Sequence, residues 1–308
     1  MYKFILKRLG LIVPVMIGVI FVIFTLTYIT EGCPATMMIG EAAPPEDIAA
    51  LRQELGLEDP FFIQFARYVT NVARLDFGTS FASGRPVFDE IIARFPTTVH
   101  LASISVVIAV VLGVPLGILS ATKQYTIFDN GATIVGLLGL SIPNFWLGMI
   151  FILFFSVQLG WFPSSGFSTP MHWVLPTFTI GASSMAIIMR MTRSSMLEVI
   201  RQDYIRTARS KGQKESKIIF NHALKNALIP VITVIGLQFG MLLGGAILTE
   251  TIFAIPGLGR FMVDSIARRD FPIIQGGVLL IALSFSVVNL MVDVLYAYVD
   301  PRIRSQYK

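Results

Sequence analysis

Asp203-Tyr-Ile-Arg-Thr-Ala-Arg-Ser-Lys-Gly212, followed by Ile218-Ile-Phe-Asn-His-Ala-Leu-Lys-Asn226, forms a basic interlude between two long apolar runs at 173–191 and 228–253. Tyr204, Ile205 and Ala208 recur at helical spacing before Gly212, and Ile219, Phe220, Ala223 and Leu224 do so after it. The pattern predicts two short helices broken at the glycine. A basic loop beside a bilayer can do no more than hold topology by its charge. An apolar face and a glycine stop exceed that need, and fit a loop that docks on a soluble partner.

The flanking runs belong to a chain of unusual solvent preference. Of 308 residues, 54% are apolar or aromatic and 14% charged, against roughly 25% charged in soluble domains. With a mean hydropathy of +0.72, this excludes a disordered chain and argues against an ordinary soluble enzyme. Lys and Arg exceed Asp and Glu by 24 to 19, too small an excess to argue for nucleic acid. One cysteine, Cys33, forms no intrachain disulfide, and His100, His172 and His222 are too scattered for a metal-ligand cluster, so no metal is expected.

Six runs are long enough to cross a hydrocarbon layer of roughly 30 Å: 9–30, 99–120, 132–159, 173–191, 228–253 and 276–299. Ser141-Ile-Pro-Asn144 interrupts the third, which reads as one kinked helix or as a helix and a half, so five or seven crossings stay open. The basic start at Lys3, Lys7 and Arg8 precedes an apolar run longer than a signal-peptide core, and no cleavage is expected. With six crossings, Lys and Arg concentrate on the side of both termini and of the 192–227 loop, which places the termini in the cytoplasm. The opposite side holds Arg52, Arg67, Arg74, Arg85, Arg94, Arg260, Arg268 and Arg269.

The plan is an all-α polytopic membrane protein: a first helix within 1–30, an external subdomain at 31–98, a five-helix core at 99–299 and a tail at 300–308. The external segment carries ten acids, including Glu31 and Glu41. Pro44-Pro45 before Glu46-Asp47, with Ile48, Leu51 and Leu55 on one face and Gly56 as stop, predicts a helix. Phe61, Phe62, Phe65 and Tyr68 predict a second, packed on the first or resting at the membrane interface.

The interlude resembles the cytoplasmic signature of permease subunits in binding-protein-dependent ABC importers of the dipeptide/oligopeptide/nickel group. Arg206-Thr-Ala208 and Gly212 stand where the wider family has Glu-Ala-Ala and its glycine, and His222 to Asn226 match the peptide branch. Further similarities are Asp76-Phe-Gly, Arg85-Pro-Val, Ser141-x-Pro-x-Phe, Glu250-Thr-Ile-Phe-x-x-Pro-Gly-Leu-Gly-Arg260 and Asp300-Pro-Arg-x-Arg304. Gly32-Cys33-Pro34 departs from the usual Gly-Asp-Pro.

The resemblance implies a bacterial or archaeal cytoplasmic membrane, a second homologous permease subunit as heterodimer partner, two ATP-binding subunits beneath and a substrate-binding protein outside. The chain has no G-x-x-x-x-G-K-[ST] segment, so it is read as non-catalytic and without cofactor of its own, with ATP and Mg in the partners. Gly257 and Gly259 are read as turn geometry. Coupling to the ATPases is assigned to Tyr204, Arg206, Thr207, Ala208, Arg209, Lys211, Gly212, His222, Leu224 and Asn226, with the apolar face in an ATPase groove and the basic residues at its rim.

Polar residues in or beside spans, Asn144, Gln238, Glu250, Asn289 and Asp293, are candidates to line the substrate path, helix–helix hydrogen bonding being the plainer alternative. At Glu250 a solvated carboxylate explains the residue equally well. Di- or oligopeptide is the expected cargo, and nickel, a metal chelate or glutathione the alternative. A secondary transporter or channel should show inverted repeats or paired mid-span charges, and a membrane enzyme a nucleophile–base set; the sequence displays neither.

Overall fold

The computed structural model describes residues 2–30, 32–40 and 42–299. Glu31, Glu41 and the 300–308 tail with its Asp300-Pro-Arg-x-Arg304 lie outside them. The described chain is helical. Its only β pairing is an isolated antiparallel bridge, Thr79 to Pro86.

Helix α1 (Tyr2–Ile29) leads to a group of shorter helices, α2 (Pro34–Ile39), α3 (Pro45–Glu54) and α4 (Phe61–Ala73). The core follows as α5 (Val87–Thr122), α6 (Ile127–Ser141), α7 (Asn144–Phe151) with a π-helical extension Ile152–Gln158, and α8 (Pro170–Ile200). Then come α9 (Asp203–Ser210), α10 (Glu215–Lys217), a π-helical turn Ile218–Ala223, α11 (Leu224–Gly245), α12 (Ile247–Ile252), α13 (Leu258–Ala267) and α14 (Phe271–Val299).

Five of these stretches are long and apolar enough to cross a membrane, and α6 with α7 and its extension makes a sixth candidate bent by 103°. Packing decides what the bent pair does. At one end of α5, His100 meets the edge of Trp173 on α8; at the other, Ser120 accepts from Arg193. Helices α5 and α8 therefore run parallel, and the chain between them must return to its starting side. The broken pair supplies that one net crossing, which makes six.

Helix α11 runs antiparallel to α14, because Gly236 faces Val292 and Gly244 faces Ile281. Helix α14 in turn is antiparallel to α1: Gln275 donates to Thr27 at 2.6 Å, and Arg8 pairs with Asp293 at 2.9 Å. The Tyr2 end of α1, the Val299 end of α14 and α9 all lie on one side.

Small residues set the distance between the central helices. A β-carbon at Gly113 would sit 2.8 Å from the Met185 carbonyl oxygen, and one at Gly117 2.6 Å from that of Met189. Backbones this close gain dispersion contact that lipid cannot match. Gly236, Gly240 and Gly244 repeat the device on α11, receiving Val292, Phe285 and Ile281 of α14.

Helix ends differ from the sequence expectation for local reasons. Helix α5 starts at Val87 rather than 99 because Pro86 precedes it and Asp89 and Glu90 occupy its first turn. The segment between α4 and α5 accordingly ends at Pro86. Helix α8 opens at Pro170, where Thr169 and His172 form a capping box, so His172 is a helix cap. It then runs to Ile200: no proline follows Pro176, and Gly181 meets the Ser105 backbone of α5 within the helix instead of ending it. Helix α10, the π turn and α11 are one continuous rod. The loop expected at 192–227 is therefore a hairpin at 201–214, and the second short helix is the base of a span. The aromatic face of α4 packs on α1: Phe61 and Phe65 lie 5.4 and 5.6 Å from Phe24 and Tyr68 stacks on it at 5.6 Å. Burial without a hydrogen-bond partner pushes the Tyr68 phenol well above its ordinary range.

Candidate functional site

On the side of the Tyr2 end of α1, α9 packs at the Ile200 end of α8 and the Leu224 end of α11. Its apolar face is turned into the bundle: Ile205 and Ala208 are buried with Ala121, Met196, Ile218, Ala223 and Ala227. This corrects the expectation that the face would enter a partner's groove. Three hydrogen bonds then clamp the two arms of the hairpin. Asn226 Nδ2 donates to the Tyr204 hydroxyl at 2.8 Å, His222 Nε2 bonds Gln213 Oε1 at 2.8 Å, and Arg209 donates to Glu215 at 2.6 Å. The bond to Glu215 holds the Arg209 guanidinium above the ordinary arginine value.

The ten residues assigned to coupling thus fall into three sets. Tyr204, Arg206, Thr207, Arg209, Lys211 and Gly212 form the exposed surface. Ala208 and Leu224 face inward and position it. His222 and Asn226 tie the arms. Phe220, read from the sequence as part of the apolar face after Gly212, is instead 58% exposed beside this surface. The hairpin presents a polar, basic surface on a rigid mount, which suits a partner whose movement must be passed to α8 and α11.

Gly212 ends α9 at φ +72, with open space where a β-carbon would be. Its requirement is conformational rather than steric. A β-branched residue there costs about 1–2 kcal/mol, whereas asparagine tolerates the left-handed region. Gly212→Val should lower transport several-fold at unchanged membrane level while Gly212→Asn stays near wild type, as measured by uptake against immunoblotted protein. Equal loss in both would show that something other than backbone conformation is at stake.

A second inner feature escaped the sequence reading. Arg193 on α8 donates to both carboxylate oxygens of Asp129 on α6, at 2.8 and 3.0 Å. The Ser120 hydroxyl of α5 and the Tyr125 amide donate to the same carboxylate. Three spans are pinned together through one buried acid. Arg193 had been counted among the loop charges; it sits about two helical turns before α8 ends at Ile200.

The substrate-path candidates do not converge. Gln238 accepts from Ser184 at 3.1 Å between α11 and α8 and is 8% exposed, the helix–helix bond that was the plainer alternative. Asn289 lines a groove of about 210 Å³ between α1 and α14 with the paired Arg8 and Asp293. Asn144 is the half-buried first residue of α7.

Glu250 is fully buried, which overturns the solvated reading. Its carboxylate accepts from the Thr98 hydroxyl at 2.6 Å and from the Arg260 amide at 2.9 Å, and Thr98 also accepts from the Leu258 amide at 2.9 Å. A β-carbon at Gly257 would lie 2.2 Å from that carboxylate. The two glycines thus make a turn, as read, and also let it close over Glu250. Among the described residues no group of three His, Cys, Asp or Glu is placed to hold a metal.

Two family models match. That of the binding-protein-dependent transport system inner membrane component covers residues 113–305, and that of the N-terminal part of such components covers 1–102. Among curated relatives, the dipeptide transport system permease protein DppB of Escherichia coli is 44% identical, covering 99% of this chain and all of that one. DppB of Alkalihalophilus pseudofirmus is 42% identical over 99% of this chain and all of its own. The glutathione transport system permease protein GsiC of Salmonella paratyphi A is 44% identical over 99% of both. Among solved structures, an inward-facing form of the MetNI methionine ABC transporter aligns with a TM-score of 0.55 at 20% identity, over 68% of this chain and 96% of that one. An amino acid ABC transporter aligns at 0.52 and 18%, over 70% and 94%. At these identities the structures establish the shared fold.

Proposed function

Because the chain belongs to the family of binding-protein-dependent transport system inner membrane components, we propose that it forms half of the translocation path of an ATP-driven importer of short peptides. The observation that carries this is full-length similarity, at equal identity, to permeases named for a dipeptide and for glutathione. Both cargoes are small peptides, and their permeases are equally distant from this chain. The reading therefore favours a short peptide over nickel or a metal chelate.

A second permease subunit completes the path, two ATP-binding subunits carry the nucleotide and Mg, and a binding protein outside delivers cargo. The hairpin 201–214 sits in the cytoplasm with both termini, in keeping with the concentration of Lys and Arg on that side. The chain itself has no phosphate-cradling loop and contributes no hydrolytic step. Closure of the ATPases pushes on the exposed surface of α9. Its clamps to α10 and α11, and its apolar seat against α8, pass the push to the spans, which rock as rigid bodies.

Proteoliposomes holding both permeases and both ATPases, supplied with loaded binding protein, test the reading. Labelled dipeptide or glutathione should accumulate only with ATP. Uptake of nickel but of neither peptide would displace it.

A further inference from the structure

The outer face carries a cavity of about 490 Å³ between the first turns of α5 and α13. Helix α5 has 36 residues, about 54 Å, so its first turns stand beyond a hydrocarbon layer of roughly 30 Å. Glu90 and Arg94 of those turns form one wall, and Arg260 and Asp264 of α13 with its C-cap residue Arg268, spaced i, i+4, form the other. Arg85 also lines the cavity and lies 3.7 Å from the Glu90 carboxylate.

Half of the arginines assigned to the outer side of this chain gather at this one place, although that side is where basic residues are depleted. Their states differ. Arg94 is held by Glu90 at 2.6 Å and by the ring of Phe261, 3.7 Å below its guanidinium. Buried Asp270, which also lines the cavity, has its carboxylate oxygens engaged by the Ser80 hydroxyl and the Phe81 and Ala82 amides. Arg260 and Arg268 have no ion pair among the described residues, and neither has Asp264 between them. Glu250 fixes the α12–α13 turn by accepting the Arg260 amide, so the two free guanidinium groups sit on a rigid mount.

The geometry points to this cavity as the docking socket for an acidic side chain on the extracytoplasmic binding protein, with Arg260 and Arg268 as the receiving pair. The inference rests on the importer reading above. Arg presents a planar fork that matches a carboxylate, and charges at the rim of an interface govern encounter and its salt dependence.

Binding of the purified binding protein to the complete transporter in lipid nanodiscs tests it. Arg260→Glu with Arg268→Glu should raise Kd at least tenfold at low salt and flatten its salt dependence. Arg260→Lys with Arg268→Lys should retain most of the affinity. Asp264→Asn should tighten docking about twofold or more, a gain that misfolding cannot imitate. Unchanged Kd in both the charge-reversed and the Asp264 variants overturns the inference. So does binding of the free dipeptide to this cavity, lost in the charge-reversed variant while docking persists, since that would make it a cargo site. Failure of the wild-type assembly to take up any peptide with ATP would instead remove the importer reading itself.

Discussion

Gly117→Leu is expected to leave essentially no assembled permease in the membrane. A β-carbon at this position already lies 2.6 Å from the Met189 carbonyl oxygen and 2.6 Å from the Thr192 β-carbon, closer than such atoms approach. Neither obstacle is the free end of a flexible side chain, so relief requires α5 and α8 to move apart. Those two helices are the axis of the bundle, and Gly113 and Gly181 hold the same close approach along their length. Gly117→Ala should cost about 1–3 kcal/mol by overpacking and lower the temperature at which the detergent-solubilised protein aggregates. The leucine side chain adds volume to a contact that is already overfull. Gly131→Leu, on α6 with nothing within 4 Å, is the matched control and should assemble normally. Assembly of Gly117→Leu at wild-type level would mean that α5 and α8 do not pack as described.

The second large effect is an asymmetry at the three-helix pin. Arg193→Ala leaves the Asp129 carboxylate, 4% exposed, with only Ser120 and the Tyr125 amide for company. Removing one partner of a buried pair typically costs 3–5 kcal/mol, and about 3 is expected here, because Arg193 keeps 30% of its side chain exposed and water can follow it in. Asp129→Asn should cost less: the arginine left behind can turn to solvent, and the amide keeps an oxygen for Ser120. The double variant Asp129→Asn with Arg193→Ala should recover part of the loss, because no uncompensated charge remains. Thermal stability of the four proteins gives the coupling directly. Additive losses would show that the pair does not act as a unit.

The six crossings were legible because a run of about 20 apolar residues has few other fates. What hydropathy could not give was the role of the break at Pro143. A broken span and a re-entrant pair have the same composition, and only the parallel course of α5 and α8 settles which it is. The interlude at 203–226 was legible as an amphipathic element on the 3.6 period. That period says which face of α9 is apolar but not whose apolar surface it meets, and Ile205 and Ala208 meet the chain's own Met196 and Ile218.

Buried polar nodes were the least legible. Asp129 and Arg193 are 64 residues apart, and Thr98 and Glu250 are 152 apart. No local pattern joins them. Their single trace in the sequence is an acid set in apolar surroundings, which reads equally well as a residue near the membrane surface. For the same reason the path candidates could not be sorted from the sequence: Gln238 and Glu250 bond to other helices, and a polar residue on a span does not announce its partner.

On the proposed mechanism, the ATP-binding subunits push on the exposed face of α9. A photo-crosslinking residue in place of Thr207, which is exposed and makes only a local bond to the Asp203 carbonyl, tests it in the intact, transporting assembly. The account predicts a covalent adduct with an ATP-binding subunit, with a yield that changes between the nucleotide-free and ATP-bound states. Wild-type uptake with no adduct to either ATP-binding subunit, in any nucleotide state, would contradict it.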